Sequence, residues 1–208
     1  MSEGASPRPM PRVVLASRNA HKITEMARIL DDAGLHVEVV GIDSYDGVPE
    51  VAETEDTFEG NALLKARAVC QATGVAAVAD DSGICVDALN GMPGILSARW
   101  AGGQGDAANL RLVLAQLGDT PDERLGAQFR CAVALVLPDG REAIVHGEMV
   151  GHLIREPRGA NGFGYDPIFV PEGETRTSAE LSSAEKDAIS HRGHALRALM
   201  PVLRELLP

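Results

Sequence analysis

Apolar residues in this chain fall first in short solid runs and then at helical spacing, and the alternation repeats. Residues 13–16 form a compact apolar run that predicts a buried strand. Ile23, Met26, Ala27 and Leu30 share one helical face, and Gly34 is placed to stop that helix. Residues 37–40 predict a second strand, followed by a polar, acidic loop over 43–56. Asp56 and Glu59 have the spacing of a capping box with Asp56 as the cap. The helix it opens has Ala62, Ala66, Val69 and Cys70 on its inner face. Residues 75–79 predict a strand ending at Asp80-Asp81-Ser82-Gly83, residues 84–89 continue extended, and Asn90-Gly91-Met92-Pro93-Gly94 is a turn cluster. Asp106 starts a helix with Leu110, Val113, Leu114 and Leu117 inward.

The second half changes character. Residues 129–137 and 142–153 are strand-like and joined by Pro138-Asp139-Gly140, which predicts a hairpin. A glycine-rich loop over 155–165 leads to a short strand at 168–170. Ser182 and Glu185 form another capping box, and two helices close the chain, the last with Leu196, Leu199, Leu203 and Leu206 on one side. Alternating strand–helix units, then a hairpin, then helices predict an α/β fold with a mixed β-sheet flanked by helices. With no repeat and no long linker, residues 12–208 read as a single domain and 1–11, with three prolines, as a disordered tail.

Composition narrows the function. The net charge of -11 disfavours DNA or RNA as a partner, because phosphate backbones would be repelled. Aromatics are only 3%, so the core should be mostly Val, Leu, Ile and Ala. No apolar stretch approaches the roughly 20 residues that span a bilayer, and the start has no signal-peptide pattern. Cys70, Cys85 and Cys131 have no metal or redox spacing and read as reduced structural residues of a cytoplasmic protein.

Five clusters carry candidate chemistry, each beside a plainer reading. Ser17-Arg18-Asn19-Ala20-His21-Lys22 lies between a strand and a helix, where free N–H groups and the dipole suit phosphate; alternatively Asn19 caps the helix and Lys22 is solvated. Asp80-Asp81-Ser82-Gly83 at a strand end suits Mg²⁺, or is an Asx-type turn. Glu50, Glu53, Glu55 and Asp56 form a solvated face, or one supplies a further carboxylate to that metal. In residues 159–166, small residues flank Phe163 and Tyr165, one of four Phe and one of two Tyr, so a base could stack there; an ordinary loop is the alternative. Lys186 with Ser190-His191-Arg192-Gly193 forms a basic cluster, or His191 bonds at a helix junction and Arg192 faces solvent. Together these are the inventory for a nucleoside triphosphate with Mg²⁺.

The order of the motifs adds a resemblance. Ser17-Arg18-Asn19-Ala20-His21-Lys22, Thr57-Phe58-Glu59-Gly60-Asn61-Ala62 with Lys65-Ala66, Ala79-Asp80-Asp81-Ser82-Gly83, Gly94-Ile95-Leu96-Ser97-Ala98-Arg99, Gly162-Phe163-Gly164-Tyr165-Asp166-Pro167 and Ser190-His191-Arg192-Gly193 resemble, block by block, the inosine triphosphate pyrophosphatase (dITP/XTP pyrophosphatase) family. The resemblance implies a two-lobed fold around a long mixed sheet, a homodimer, and hydrolysis of ITP, dITP and XTP between the α and β phosphates to monophosphate and pyrophosphate. It implies that Ser17, Arg18, Asn19, Ala20, His21 and Lys22 hold the triphosphate. Asp81 would be general base and Mg²⁺ ligand, Ser82 a substrate contact, and Glu53, with Glu50 as a nearby candidate, the second metal carboxylate. Phe163, Gly164, Tyr165, Asp166, Lys186, His191 and Arg192 would surround base and sugar. Arg18 departs from the glycine that many relatives have there. Donors from His191, Arg192 or the loop would favour a 6-oxo purine over adenine. The related septum-formation-inhibitor-like pyrophosphatases and a non-catalytic nucleotide-binding regulator are the alternative readings.

Overall fold

The computed structural model describes residues 10–206; the tail expected over 1–11 lies, up to residue 9, outside them. Strands β1 (Arg12–Leu15), β2 (Glu38–Gly41), β3 (Ala76–Val86), β4 (Gly126–Val136), β5 (Glu142–Leu153) and β6 (Phe169–Pro171) form one sheet in the order β2-β1-β3-β4-β5-β6. β1 is parallel to β2 and β3, and every pairing from β3 to β6 is antiparallel. Helices α1 (Ala20–Asp32), α2 (Phe58–Thr73), α3 (Asp106–Leu117), α4 (Ser183–Ile189) and α5 (His191–Leu206) flank it. The mixed α/β fold expected from the sequence is the one observed.

The local chemistry explains most boundaries. Gly34, with φ 68°, follows α1 by two residues and lets its N–H reach the Asp31 carbonyl at 2.8 Å. Helix α2 is capped by Thr57, not Asp56: the Thr57 side chain accepts from the Gly60 N–H at 3.0 Å, while Asp56 is exposed. The Ser182–Glu185 capping box forms as expected.

The larger correction concerns β3. It does not end at Asp80 but runs on to Val86, because residues 77–86 pair continuously with β4, from Ala77↔Val136 to Val86↔Ala127. Side chains therefore alternate between the two faces. Val78 joins Val13, Leu15, Val133 and Leu135 against Met26 and Leu30 of α1 and Leu196, Leu199 and Leu203 of α5. Ala77 and Ala79 join Val14, Ala132 and Ala134 against Ala62, Ala66 and Val69 of α2. A third cluster, with Ile84, Val86, Leu110, Val113, Leu117, Phe129 and Phe169, fills the far end.

Glycine fixes one close approach that matters for the site. A Cβ at Gly147 of β5 would overlap the His191 carbonyl oxygen. The start of α5 thus lies directly on the sheet, which holds His191 and Arg192 in place.

Candidate active site

The site is built where β3 outgrows β1. The last pair between them is Leu15↔Val78, and the Ala16 N–H bonds the Val78 carbonyl at 2.8 Å. Beyond Val78, β3 has no strand on that side among the described residues. Asp80 and Asp81 thus lie just past the carboxyl end of parallel β1, on an open edge, and point to opposite faces. They do not form one two-carboxylate site, and the strand pairing excludes the Asx-type turn.

Asp80 faces α1 and α5. Its oxygens take Lys22 Nζ at 2.9 and 3.0 Å, and Oδ2 takes Arg192 Nε at 3.1 Å and Nη2 at 3.0 Å. Burial alone would raise the Asp80 pKa, but the charges of Arg192 and Lys22 outweigh it and hold the carboxyl far below the usual range. Lys22 is therefore not simply solvated. Lys22 and Arg192 share this one carboxylate beside the start of α1, and Glu25 lines the same cleft.

Asp81 faces α2. Oδ2 accepts from Asn61 Nδ2 at 3.2 Å, and Lys65 Nζ lies 3.4 Å from Oδ1. Lys65 also bonds Glu53 Oε1 at 2.9 Å, and Arg99 bonds Glu53 Oε2 at 3.0 Å. Burial raises the Asp81 pKa to about 6; Lys65 opposes that rise and the Glu53 charge adds to it. For Glu53, burial is outweighed by the bonds from Lys65 and Arg99, and its pKa falls below the ordinary value. Glu53, not the exposed Glu50, is the loop carboxylate brought to Asp81. Glu55 and Asp56 remain exposed. No group of three or more His, Cys, Asp and Glu is placed to hold a metal among the described residues.

On the Asp80 side a cleft of about 460 Å³ gathers Asn19, Lys22, Phe163, Lys186, His191 and Arg192. That volume suits a small-molecule ligand. Phe163 is 63% exposed at its rim, with Lys186 Nζ 5.1 Å from the ring centroid. His191 lies on Phe129, ring centroids 5.0 Å apart and nearly parallel. Its buried Nδ1 has no hydrogen-bond partner among the described residues. Burial first, then the charges of Arg192 and Lys186, push the His191 pKa well below 6.5, so the imidazole is neutral near pH 7.

Two neighbours are not open to a ligand in the way the sequence suggested. Tyr165 is 3% exposed, and its hydroxyl donates to the Ser97 carbonyl at 2.9 Å. The flanking aromatics therefore do different jobs: Tyr165 anchors the loop and Phe163 alone is free to stack. Asp166 is buried, pairs with Lys186, and accepts from the Phe163 N–H at 2.8 Å. Gly164 N–H bonds Asp106 Oδ2 at 2.8 Å. If the ligand is a nucleotide, as the motif resemblance implies, Phe163→Ala should raise KM for every base about alike, by roughly 10-fold, since stacking is worth about 1–3 kcal/mol and ignores base identity; a base-dependent loss in steady-state kinetics would contradict this.

The remaining expected residues spread along the same edge. Ser17 Oγ accepts from the Asn19 N–H at 3.1 Å, Asn19 precedes the first helical residue Ala20, and exposed Arg18 pairs with Asp43 at 2.7 Å. The His21 side chain lies outside what the structure describes. Ser82 is half-buried on the Asp80 face, opposite Cys131 of β4. Asn61, Lys65 and Arg99 carry no role in the reading of the sequence, yet all three meet at this site. The available signal was Asn61 and Lys65, four apart on a helix face otherwise lined by Ala and Val. A larger groove, about 780 Å³, lies on the α2 face between Met92, Ile95, Leu96, Arg130 and His146; of the candidate site residues it is lined only by Asp56.

The sequence profile of the Ham1 family matches residues 13–202. This chain belongs to the Ham1 family. Among similar proteins, the dITP/XTP pyrophosphatase of Streptomyces coelicolor is 62% identical over 199 residues, covering 95% of this chain and 100% of that one. That of Mycobacterium tuberculosis is 57% identical over 197 residues, covering 94% and 96%. A HAM1 protein from Coxiella burnetii superposes with a TM-score of 0.87 at 44% identity, covering 94% of this chain and 100% of that one. The Mycobacterium abscessus nucleoside-triphosphatase / dITP/XTP pyrophosphatase superposes at 0.77 with 56% identity, covering 93% and 100%. The family resemblance seen in the six motifs is borne out over nearly the whole chain.

Proposed function

We propose that this Ham1-family chain is a nucleoside triphosphate pyrophosphohydrolase that converts ITP, dITP and XTP to the monophosphate and pyrophosphate. The observation that carries the base preference is the pairing of exposed Phe163 with the unpartnered Nδ1 of neutral His191 in one cleft. The similar proteins named dITP/XTP pyrophosphatase support the reaction class.

Phe163 stacks the base, and His191, with loop N–H groups, meets a 6-oxo purine. Lys22 in the first turn of α1 attracts the triphosphate, beside the helix's free N–H groups. The donor set fits a hard divalent cation: Asp81 and Glu53 offer oxygens only, and Lys65 joins both, so they lie close together. A Mg²⁺ ion held there would supply Lewis-acid stabilisation of phosphate charge. Asp81 orients a water and takes its proton as the water oxygen bonds to one phosphorus beside the α–β bridge. The bridging P–O bond breaks, and the electron pair leaves with the departing phosphate group. The three buried, free cysteines fit a cytoplasmic location, and the homodimer implied by the family resemblance belongs to the same reading.

The test is a product assay across ATP, GTP, ITP, XTP, dITP, CTP and TTP with and without Mg²⁺. ITP, dITP and XTP should exceed ATP in kcat/KM by at least about 100-fold, since a site with donors for a substrate group strongly rejects its amino analogue. Equal hydrolysis of ITP and ATP would overturn the base reading. Orthophosphate as first product would overturn the reaction class, and nucleotide binding without turnover would favour a regulator.

A further inference from the structure

Lys65 stands where the two carboxylates assigned to the cation meet. Its Nζ lies 2.9 Å from Glu53 Oε1 and 3.4 Å from Asp81 Oδ1, on a side chain only 17% exposed. Neither carboxylate depends on Lys65 alone. Glu53 Oε2 is held by Arg99 at 3.0 Å, and Asp81 Oδ2 by Asn61 at 3.2 Å. Asn61 also accepts the Glu55 N–H at 3.0 Å, which fixes the loop that carries Glu53. The two acids would keep their places if the ammonium moved away. Lys suits such movement, being a point charge on a flexible stem.

A divalent cation bound by Glu53 and Asp81 would sit within a few ångströms of this ammonium, at a separation where like charges repel strongly away from bulk water. Resting on the reading that these two residues hold the metal, we propose that Lys65 and the divalent cation are alternative occupants of the space between Glu53 and Asp81. Entry of the cation drives the Lys65 ammonium out of the pair, and the displaced charge becomes available to the triphosphate. Cation loading and triphosphate grip are thereby coupled through one side chain.

The test needs no turnover. Mn²⁺ is titrated into nucleotide-free protein, and free Mn²⁺ is followed by electron paramagnetic resonance. Lys65→Met should bind Mn²⁺ about tenfold or more tighter than the unchanged protein, because a competing charge is gone. Lys65→Arg, which keeps the charge, should show no such gain. Lys65→Gln, which retains a polar head to support the fold, is measured beside Lys65→Met, with far-ultraviolet circular dichroism to confirm folding. Lys65→Met and Lys65→Gln with unchanged or weaker affinity, while Glu53→Gln and Asp81→Asn lose Mn²⁺, would overturn the displacement and leave the metal site standing. Glu53→Gln and Asp81→Asn binding as well as the unchanged protein would overturn the metal assignment and the displacement with it.

Discussion

Under the proposed mechanism, Asp81→Asn should fold normally and turn over ITP about 10²–10⁴-fold more slowly, the usual cost of losing a general base. The asparagine has the same shape, so it can still accept from Asn61, which donates to Asp81 at 3.2 Å. Stability should change little, for a reason visible in the titration of Asp81. Its pKa in the fold is raised to about 6, chiefly by burial, against an ordinary value of 3.8. A carboxyl whose folded pKa is raised costs the fold nothing below 3.8, where both states hold the proton. As pH climbs between the two values the unfolded chain loses the proton first, so folding weakens, and above about 6 the full cost is present. Asparagine removes that cost at neutral pH, which offsets the partner that Lys65 loses. Steady-state kinetics with Mg²⁺ and a thermal melt separate the outcomes. Near-normal turnover would remove Asp81 from the chemistry, and a collapsed melting temperature would make its role structural.

This division of labour was only half legible along the chain. The apolar runs and helical stripes located the six strands and four of the five helices, because burial leaves a pattern in the sequence, and the Ser182–Glu185 capping box located α4. The run Asp80-Asp81-Ser82-Gly83 misled, since those residue types favour turns. Their backbones are paired instead with residues 130–133 of β4, a tertiary demand that overrides local preference. Once the strand is continuous, alternation alone sends the two carboxylates to opposite faces. Other features had no local signature. Phe163 and Tyr165 flank the same glycine, and only the Ser97 carbonyl, 68 residues away, decides that Tyr165 is the buried one. Arg192 lies 112 residues from Asp80, so its pairing could not be read from the basic cluster. Lys65 was visible in a motif, but its place between Glu53 and Asp81 depends on how the 43–56 loop folds back over α2.

Arg192→Met should lower stability by about 3–5 kcal/mol, the cost of removing one partner from a buried ion pair. For a chain of this length that is a fall in melting temperature on the order of 10 °C. The Asp80 side chain is only 8% exposed, and Arg192 gives its Oδ2 two of the four donor contacts it shares with Lys22. Methionine fills much of the same volume, so the loss reads the charge rather than a cavity. Lys22→Ala should cost less, because Lys22 is 25% exposed and Asp80 then keeps both Arg192 donors. The pH dependence identifies the cause. Asp80 is held far below its ordinary range because Arg192 and Lys22 outweigh burial. A depressed carboxyl contributes stability above its unfolded pKa, near 4, and loses it as pH falls toward the folded value. The gap between Arg192→Met and the unchanged protein should therefore be full at neutral pH and shrink below about pH 4. Adding Asp80→Asn to Arg192→Met should recover part of the loss, since no uncompensated carboxylate would remain. A gap that held constant down to acid pH, with no recovery in the double variant, would mean that Arg192 stabilises the fold by packing alone and that Asp80 is not its counter-ion in any energetic sense.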